Sequence, residues 1–194
     1  MKCKDFFDSV KEAESKLSKE LQKHPESTQV EWENESASSY SPGVVQSTEV
    51  LARQIVDPTH FDRVSGTIKP TFFDDAASIG ASCHRLNYID YQTIQKMTEQ
   101  RVAQANQNPP STGPRTAIGY ASVIAEEVRS IRTGSNPNRR GSAVYDTAKS
   151  DDNSHVDICQ LVSTRQDGKS VRAQLWKLAK DRLMKFPPPQ TNDD

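Results

Sequence analysis

Four histidines occur in the 194 residues, and two of them stand in short polar clusters, Ser82-Cys83-His84-Arg85 and His155-Val156-Asp157. An imidazole titrates near neutral pH and can take or give a proton, so a histidine beside a hydroxyl, a cation or a carboxylate is raw material for acid/base work. On a strand, residues two apart share a face. Ser82 can therefore stand beside His84, and His155 beside Asp157, which can steer an imidazole or co-ligate a metal without touching it. Immediate neighbours point to opposite faces. Cys83 and His84 are accordingly badly placed as a nucleophile and base, and His84 with Arg85 needs a bend in the backbone to act together on a phosphate. His60, in the polar stretch Asp57-Pro58-Thr59-His60-Phe61-Asp62, is the third histidine that can join from a distance. The expectation is that His60, His84 and His155 are the candidate catalytic groups, with Arg85 and Asp157 as ligand-binding partners. Any site of this kind requires the two clusters to meet across the fold.

A second set of candidates lies in the carboxyl-terminal third. From Arg129 to Arg182 there are eleven basic and six acidic residues, whereas residues 1–35 carry six basic and nine acidic, although the net charge of the whole chain is only -1. Such asymmetry can present a focused positive surface on a nearly neutral protein. Arg129, Arg132, Arg139 and Arg140 flank a loop with Gly134, Pro137 and Gly141; Lys169, Arg172, Lys177, Lys180 and Arg182 extend the series. Arg139, Arg140 and Arg172 are expected to engage phosphate oxygens of a nucleic acid or a nucleotide. The opposing reading is the solvated face of an amphipathic helix, or pairing against the acidic amino-terminal segment.

Other chemistry finds less support. Cys3, Cys83 and Cys159 have neither disulfide-framework nor metal-ligand spacing, so reduced thiols in a cytoplasmic setting are expected. The Asp151-Asp152-Asn153 run lacks the full spacing and terminal Glu of a calcium loop, and no zinc motif, phosphate-binding glycine loop or dinucleotide fingerprint occurs. No cofactor is implied, and metal occupancy is left open. No apolar run reaches membrane-spanning length.

The elements that must position these residues follow from periodicity. Phe6, Phe7, Val10, Ala13, Leu17 and Leu21 form one stripe of a helix over 5–23, ended by His24-Pro25. That stripe can dock on a partner, on a second copy or on the body. Residues 25–42 read as a polar linker whose lone Trp32 favours docking. The body is expected over 43–186 and a flexible tail over 187–194. Strands are expected at 51–56, 79–86 and 155–162, with a turn at Ser65-Gly66. A helix capped by Asp90 follows, and another carries Val171, Leu175, Leu178, Ala179 and Leu183. In the stretch 117–131, Tyr120, Ile124, Val128 and Ile131 fit a helix, while 117–123 and 128–131 fit two short strands, the reading favoured because Gly119 and the β-branched residues disfavour helix. The pattern predicts α+β architecture: a single small domain in which a short-stranded sheet is covered by amphipathic helices.

Three functions compete on this reading. The first is a binding or regulatory protein using the basic patch, the second a small phosphotransfer or phosphoester-hydrolysing enzyme using dispersed histidines. The third is a protein-binding accessory docking through its amino-terminal helix.

Overall fold

The computed structural model describes residues 2–111 and 113–187; all but the first residue of the expected tail lie outside that range. Its centre is a six-stranded sheet in the order β6-β7-β4-β1-β5-β8, every neighbouring pair antiparallel. The strands are β1 (Val50–Asp57), β4 (Ala81–Arg85), β5 (Thr116–Ile124), β6 (Ser142–Asp146), β7 (His155–Gln160) and β8 (Leu183–Lys185). A small hairpin of β2 (Phe61–Asp62) and β3 (Thr67–Ile68) turns at Gly66, whose φ of 70° suits a residue without a Cβ. The architecture is α+β, and no described helix is long and apolar enough to cross a membrane.

Side-chain alternation divides the sheet into two unlike faces. One face carries Leu51, Ile55, Ala81, Cys83, Val123, Val144, Val156 and Ile158. It packs on a 3-10 helix (Pro70–Ala77), on α5 (Ala125–Arg129) and on α6 (Arg165–Ala179), which supply Phe72, Phe73, Val128, Val171 and Leu175. This is the main core. The opposite face has two separate covers. Over β6 and β7, Ala143, Tyr145 and Cys159 meet the amino-terminal helices α1 (Cys3–Glu12), α2 (Leu17–Leu21) and α3 (Glu26–Glu33). Over β1 and β5, Ala52 and Tyr120 meet Ile94 of α4 (Tyr91–Ala105). The sheet order puts β4 and the inner edge of β7 between these covers, and this uncovered strip carries the two polar clusters.

Several local expectations change for identifiable reasons. The single helix over 5–23 is two helices. Glu14, at φ 49°, ends α1, with the Glu14 amide on the Lys11 carbonyl at 3.1 Å and the Ser15 amide on the Val10 carbonyl at 3.0 Å. That pair of bonds is a Schellman stop, usually built on Gly, which is why the sequence gives no warning of it. The apolar stripe survives because α2 returns Leu17 and Leu21 to the same cluster as Phe6 and Phe7.

The stretch expected as a linker contains α3. Its Trp32 is buried and stacks on Phe6 with ring centroids 4.4 Å apart. Glu33 of α3 accepts from the Val144 amide at 2.6 Å and pairs with Arg129 at 3.0 Å and Arg140 at 2.6 Å. This acid ties the segment to β6 alongside the buried Trp32 and the Tyr145 hydroxyl, which donates to the Gln29 carbonyl at 2.9 Å.

The second strand expected within 117–131 is the helix α5. The Glu127 side chain accepts from the Ile124 amide at 3.2 Å and caps the first turn, while Arg182 grips the same carboxylate. Asp90 caps α4 as expected, accepting from the Thr93 amide at 2.7 Å, and Thr164 caps α6.

Candidate functional site

The register of β4 against β7 sets Ser82 opposite Asp157 and His84 opposite His155. The two clusters singled out in the sequence therefore meet, with the His84 and His155 rings 6.2 Å apart between centroids and nearly perpendicular. Both histidines are more than nine-tenths buried. Gly80, at φ 89°, brings the chain into β4 so tightly that a Cβ there would lie 3.0 Å from that of Asp157.

Each histidine has its own partners. His84 Nδ1 lies 3.1 Å from Asp152 Oδ2 and 3.2 Å from Ser154 Oγ, and Ser154 Oγ donates to Asp152 Oδ1 at 2.6 Å. Burial alone would push the Asp152 carboxyl up. The hydrogen bonds from His84 and Ser154 outweigh it and hold the group well below the usual carboxylate range.

His155 Nδ1 lies 2.9 Å from Thr147 Oγ1 and 3.1 Å from the Thr147 carbonyl oxygen. The same hydroxyl donates to Asp157 Oδ2 at 2.8 Å, and Ser82 Oγ donates to Asp157 Oδ1 at 3.2 Å. Burial lowers the pKa of His155, and the Lys149 charge adds to this against the opposing pull of Asp157 and Asp152. The ring is consequently neutral at pH 7. Its Nε2 is buried and has no hydrogen-bond partner. It shares that state with Ser18 Oγ, Gln29 Oε1, Arg115 Nε and Arg140 Nε among the described residues, and each such atom calls for a reason.

For Nε2 the reason is next to it. His155 lines a cleft of about 570 Å³ between α1 and the loop that joins β6 to β7, together with Phe7, Lys11, Tyr40, Thr147 and Lys149. Asp157 belongs to the same wall. Three lysines and three aspartates border the space, but Lys4 is committed to Asp8 at 2.6 Å and Asp157 to Thr147 and Ser82. Among the described residues, Lys11 and Lys149 form no ion pair and face a single uncommitted acid, Asp151. The cleft thus offers two cations, several hydroxyls and an exposed Tyr40 ring, with His155 in its wall.

The remaining candidates lie elsewhere. His60 belongs to the hairpin side: its Nδ1 accepts from the Val56 amide at 3.3 Å and its ring sits edge-on to Phe72. Burial, helped by Arg53, pushes its pKa down to about 4. It does not line the His155 cleft.

Arg85 points to the face opposite His84 and is wholly buried. It donates to both carboxylate oxygens of Glu49 at 2.6 Å and to the Gly43 and Val44 carbonyls at 2.6 and 3.3 Å, with its guanidinium over the Tyr88 ring. No surface ligand reaches it. Cys83 lies on that same opposite face, its thiol pushed up to about 12 by burial.

Part of the basic third is committed to ion pairs, including four of its arginines. Arg129 and Arg140 hold Glu33, Arg172 holds Asp74 at 3.0 Å and Gln160 at 2.7 Å, and Arg182 holds Glu127. Among the described residues Arg132, Arg139, Lys149, Arg165, Lys169 and Lys177 have no carboxylate partner. The stripe of Phe6, Phe7, Val10, Leu17 and Leu21 is likewise occupied, buried on this chain's own sheet.

Thr147 and the cleft lysines were missed by sequence reasoning. Thr147 sits between strands, with no pattern around it, and acquires its role only by reaching both His155 and Asp157. Comparison with protein-family models, with curated proteins and with solved structures gives no match to this chain.

Proposed function

We propose that this protein is a small phosphoester-hydrolysing or phosphotransfer enzyme that works in the cleft over β7, with His155 as its general base. One observation carries the reading: the Nε2 atom of His155 is buried, unpartnered and part of a residue that lines the cleft. A neutral imidazole anchored through Nδ1 presents Nε2 as a proton acceptor, and a low pKa keeps that acceptor free at neutral pH. Lys11 and Lys149 supply the charge that a phosphate group requires, and the hydroxyls of Ser39 and Ser150 supply donors. Water or a ligand hydroxyl hydrogen-bonded to Nε2 would give its proton to that nitrogen as its oxygen bonds to phosphorus, while the P–O ester bond breaks and the leaving oxygen departs with the bonding electron pair.

The ion pairs formed by Arg129, Arg140, Arg172 and Arg182 favour this reading over a basic surface for nucleic acid. The test uses the full chain with p-nitrophenyl phosphate and bis(p-nitrophenyl) phosphate at pH 7.5. His155→Gln is expected to lower the rate by about 10²-fold or more, whereas Arg139→Ala leaves it unchanged. Hydrolysis of neither ester, or equal rates for the wild-type and His155→Gln chains, overturns the proposal. Loss of salt-sensitive binding to a single-stranded oligonucleotide in Arg139→Ala would favour the basic-surface reading instead.

A further inference from the structure

The hydrogen-bond directions around His155 can be worked out from chemistry alone. A carbonyl oxygen only accepts, so the nitrogen 3.1 Å from the Thr147 carbonyl must bear the hydrogen. A neutral imidazole has one N–H, which leaves Nε2 bare. An ionised carboxylate also only accepts, so the Thr147 hydroxyl, 2.8 Å from Asp157 Oδ2, gives its single hydrogen to the acid. Its lone pairs then face His155 Nδ1 at 2.9 Å and accept from it. Ser82 donates to the other oxygen of Asp157 from the neighbouring strand, which stops the carboxylate from rotating away. Every proton in the chain has one consistent position. Among the described residues no ion pair joins His155 directly to Asp157, so the contact between them runs through Thr147.

We propose that Thr147 is the positioning residue of this site, coupling the Asp157 carboxylate to His155 through a Ser82–Asp157–Thr147–His155 relay that holds the imidazole as its Nδ1–H tautomer. The proposal deepens the general-base reading and rests on it for its functional meaning, although the relay itself is measurable without a substrate. It also defines the ligand chemistry at the base: the atom that meets Nε2 must bring its own hydrogen, as water, an alcohol or an amine does, and a bare phosphate oxygen does not fit there. A histidine oriented by an acceptor on its far nitrogen is the usual way to fix both tautomer and ring plane. Here the acceptor is a hydroxyl polarised by a buried acid.

The experiment is nitrogen-15 NMR of the histidine side chains in the full-length protein, with His155 assigned by its loss in His155→Gln. The wild type is expected to show the Nδ1–H tautomer at pH 7.5. Thr147→Val keeps the carbonyl that fixes the tautomer and removes the hydroxyl that links Nδ1 to the Asp157 charge, so it is expected to lower the His155 titration midpoint by at least about half a pH unit. Thr147→Ser restores the wild-type midpoint. If Thr147→Val does not fold, Asp157→Asn serves in its place: removing the charge while keeping the shape is expected to lower the His155 titration midpoint by at least about half a pH unit. A wild-type Nε2–H tautomer, or a midpoint that none of these changes moves, overturns the relay. The predicted tautomer together with no hydrolysis of either ester supports the relay and overturns the catalytic reading.

Discussion

Strand β4 places two adjacent residues in opposite worlds. Arg85 enters one side of the sheet, where Glu49, two carbonyls and the Tyr88 ring surround it; His84 enters the other, beside His155 and the cleft. Both clusters are buried and both are polar. The first is closed, with a charge neutralised where it lies. The second is left incomplete at one buried atom, Nε2 of His155, in a residue that lines a cleft of about 570 Å³. A buried ion pair that is fully hydrogen-bonded is part of the architecture. A buried acceptor left bare against a cleft is a cost to folding unless a ligand completes it, and that asymmetry separates the two sides of β4.

The comparison can be broken most forcefully at the closed cluster. Glu49→Gln leaves the Arg85 guanidinium buried without its counter-charge and is expected to destabilise the fold by about 3–5 kcal/mol, measured by urea denaturation. A loss under about 1 kcal/mol would mean that the cluster is not the structural anchor described.

Acidification acts on the histidines and spares Arg85. His60 and His155 both have folded pKa values below that of a free imidazole, so each is neutral in the fold while the unfolded chain takes up protons near pH 6.5. Their contribution is fully present above that pH and is lost as pH falls, for His60 down to about 4. The expected decline between pH 7 and 4 is on the order of 2 kcal/mol, visible in denaturation midpoints and partly removed by His60→Gln. Glu49 is not expected to contribute at the upper end of this window. Burial raises its pKa, but Arg85 and the Gln46 amide outweigh that and hold it below its ordinary value.

Arg140→Ala tests whether the carboxyl-terminal arginines are structural. Because Glu33 keeps Arg129 and the Val144 amide, a loss of about 1–2 kcal/mol is expected, with no change in ester hydrolysis. The smallest stability effect is expected in the open cluster. His155→Leu removes the unsatisfied nitrogen and is expected to change stability by less than about 1 kcal/mol, or to raise it, while abolishing hydrolysis. A large destabilisation would place His155 with Arg85 among the structural groups.

Legibility in the sequence followed the range of the interactions. The strands at 51–56, 79–86 and 155–162, and the Asp90 cap, rest on local alternation and capping, and they reappear within a few residues. The fold class was readable for the same reason. The two-residue spacings placed Ser82 with His84 and His155 with Asp157 on common faces, and the structure puts each pair on one side of the sheet. Less visible was α3, because its anchor is Glu33 meeting arginines about a hundred residues away, and a polar segment gives no periodic apolar signal. The break at Glu14 was hidden because a stop at a non-glycine residue has no sequence mark.

Composition and spacing determined that this chain builds a short-stranded, helix-covered sheet carrying two scarce histidines on strands, whose antiparallel pairing only the structure shows. Tertiary structure alone decided that those strands are neighbours in the register that faces His84 with His155. It also decided that Thr147 bridges His155 to Asp157, and that the arginines of the carboxyl-terminal third are mostly spent on acids of other segments. The physical reason is that alternation and capping are set by residues a few positions apart. Which charge is neutralised, and which polar atom is left bare, depends on groups that only the folded chain brings within hydrogen-bond distance.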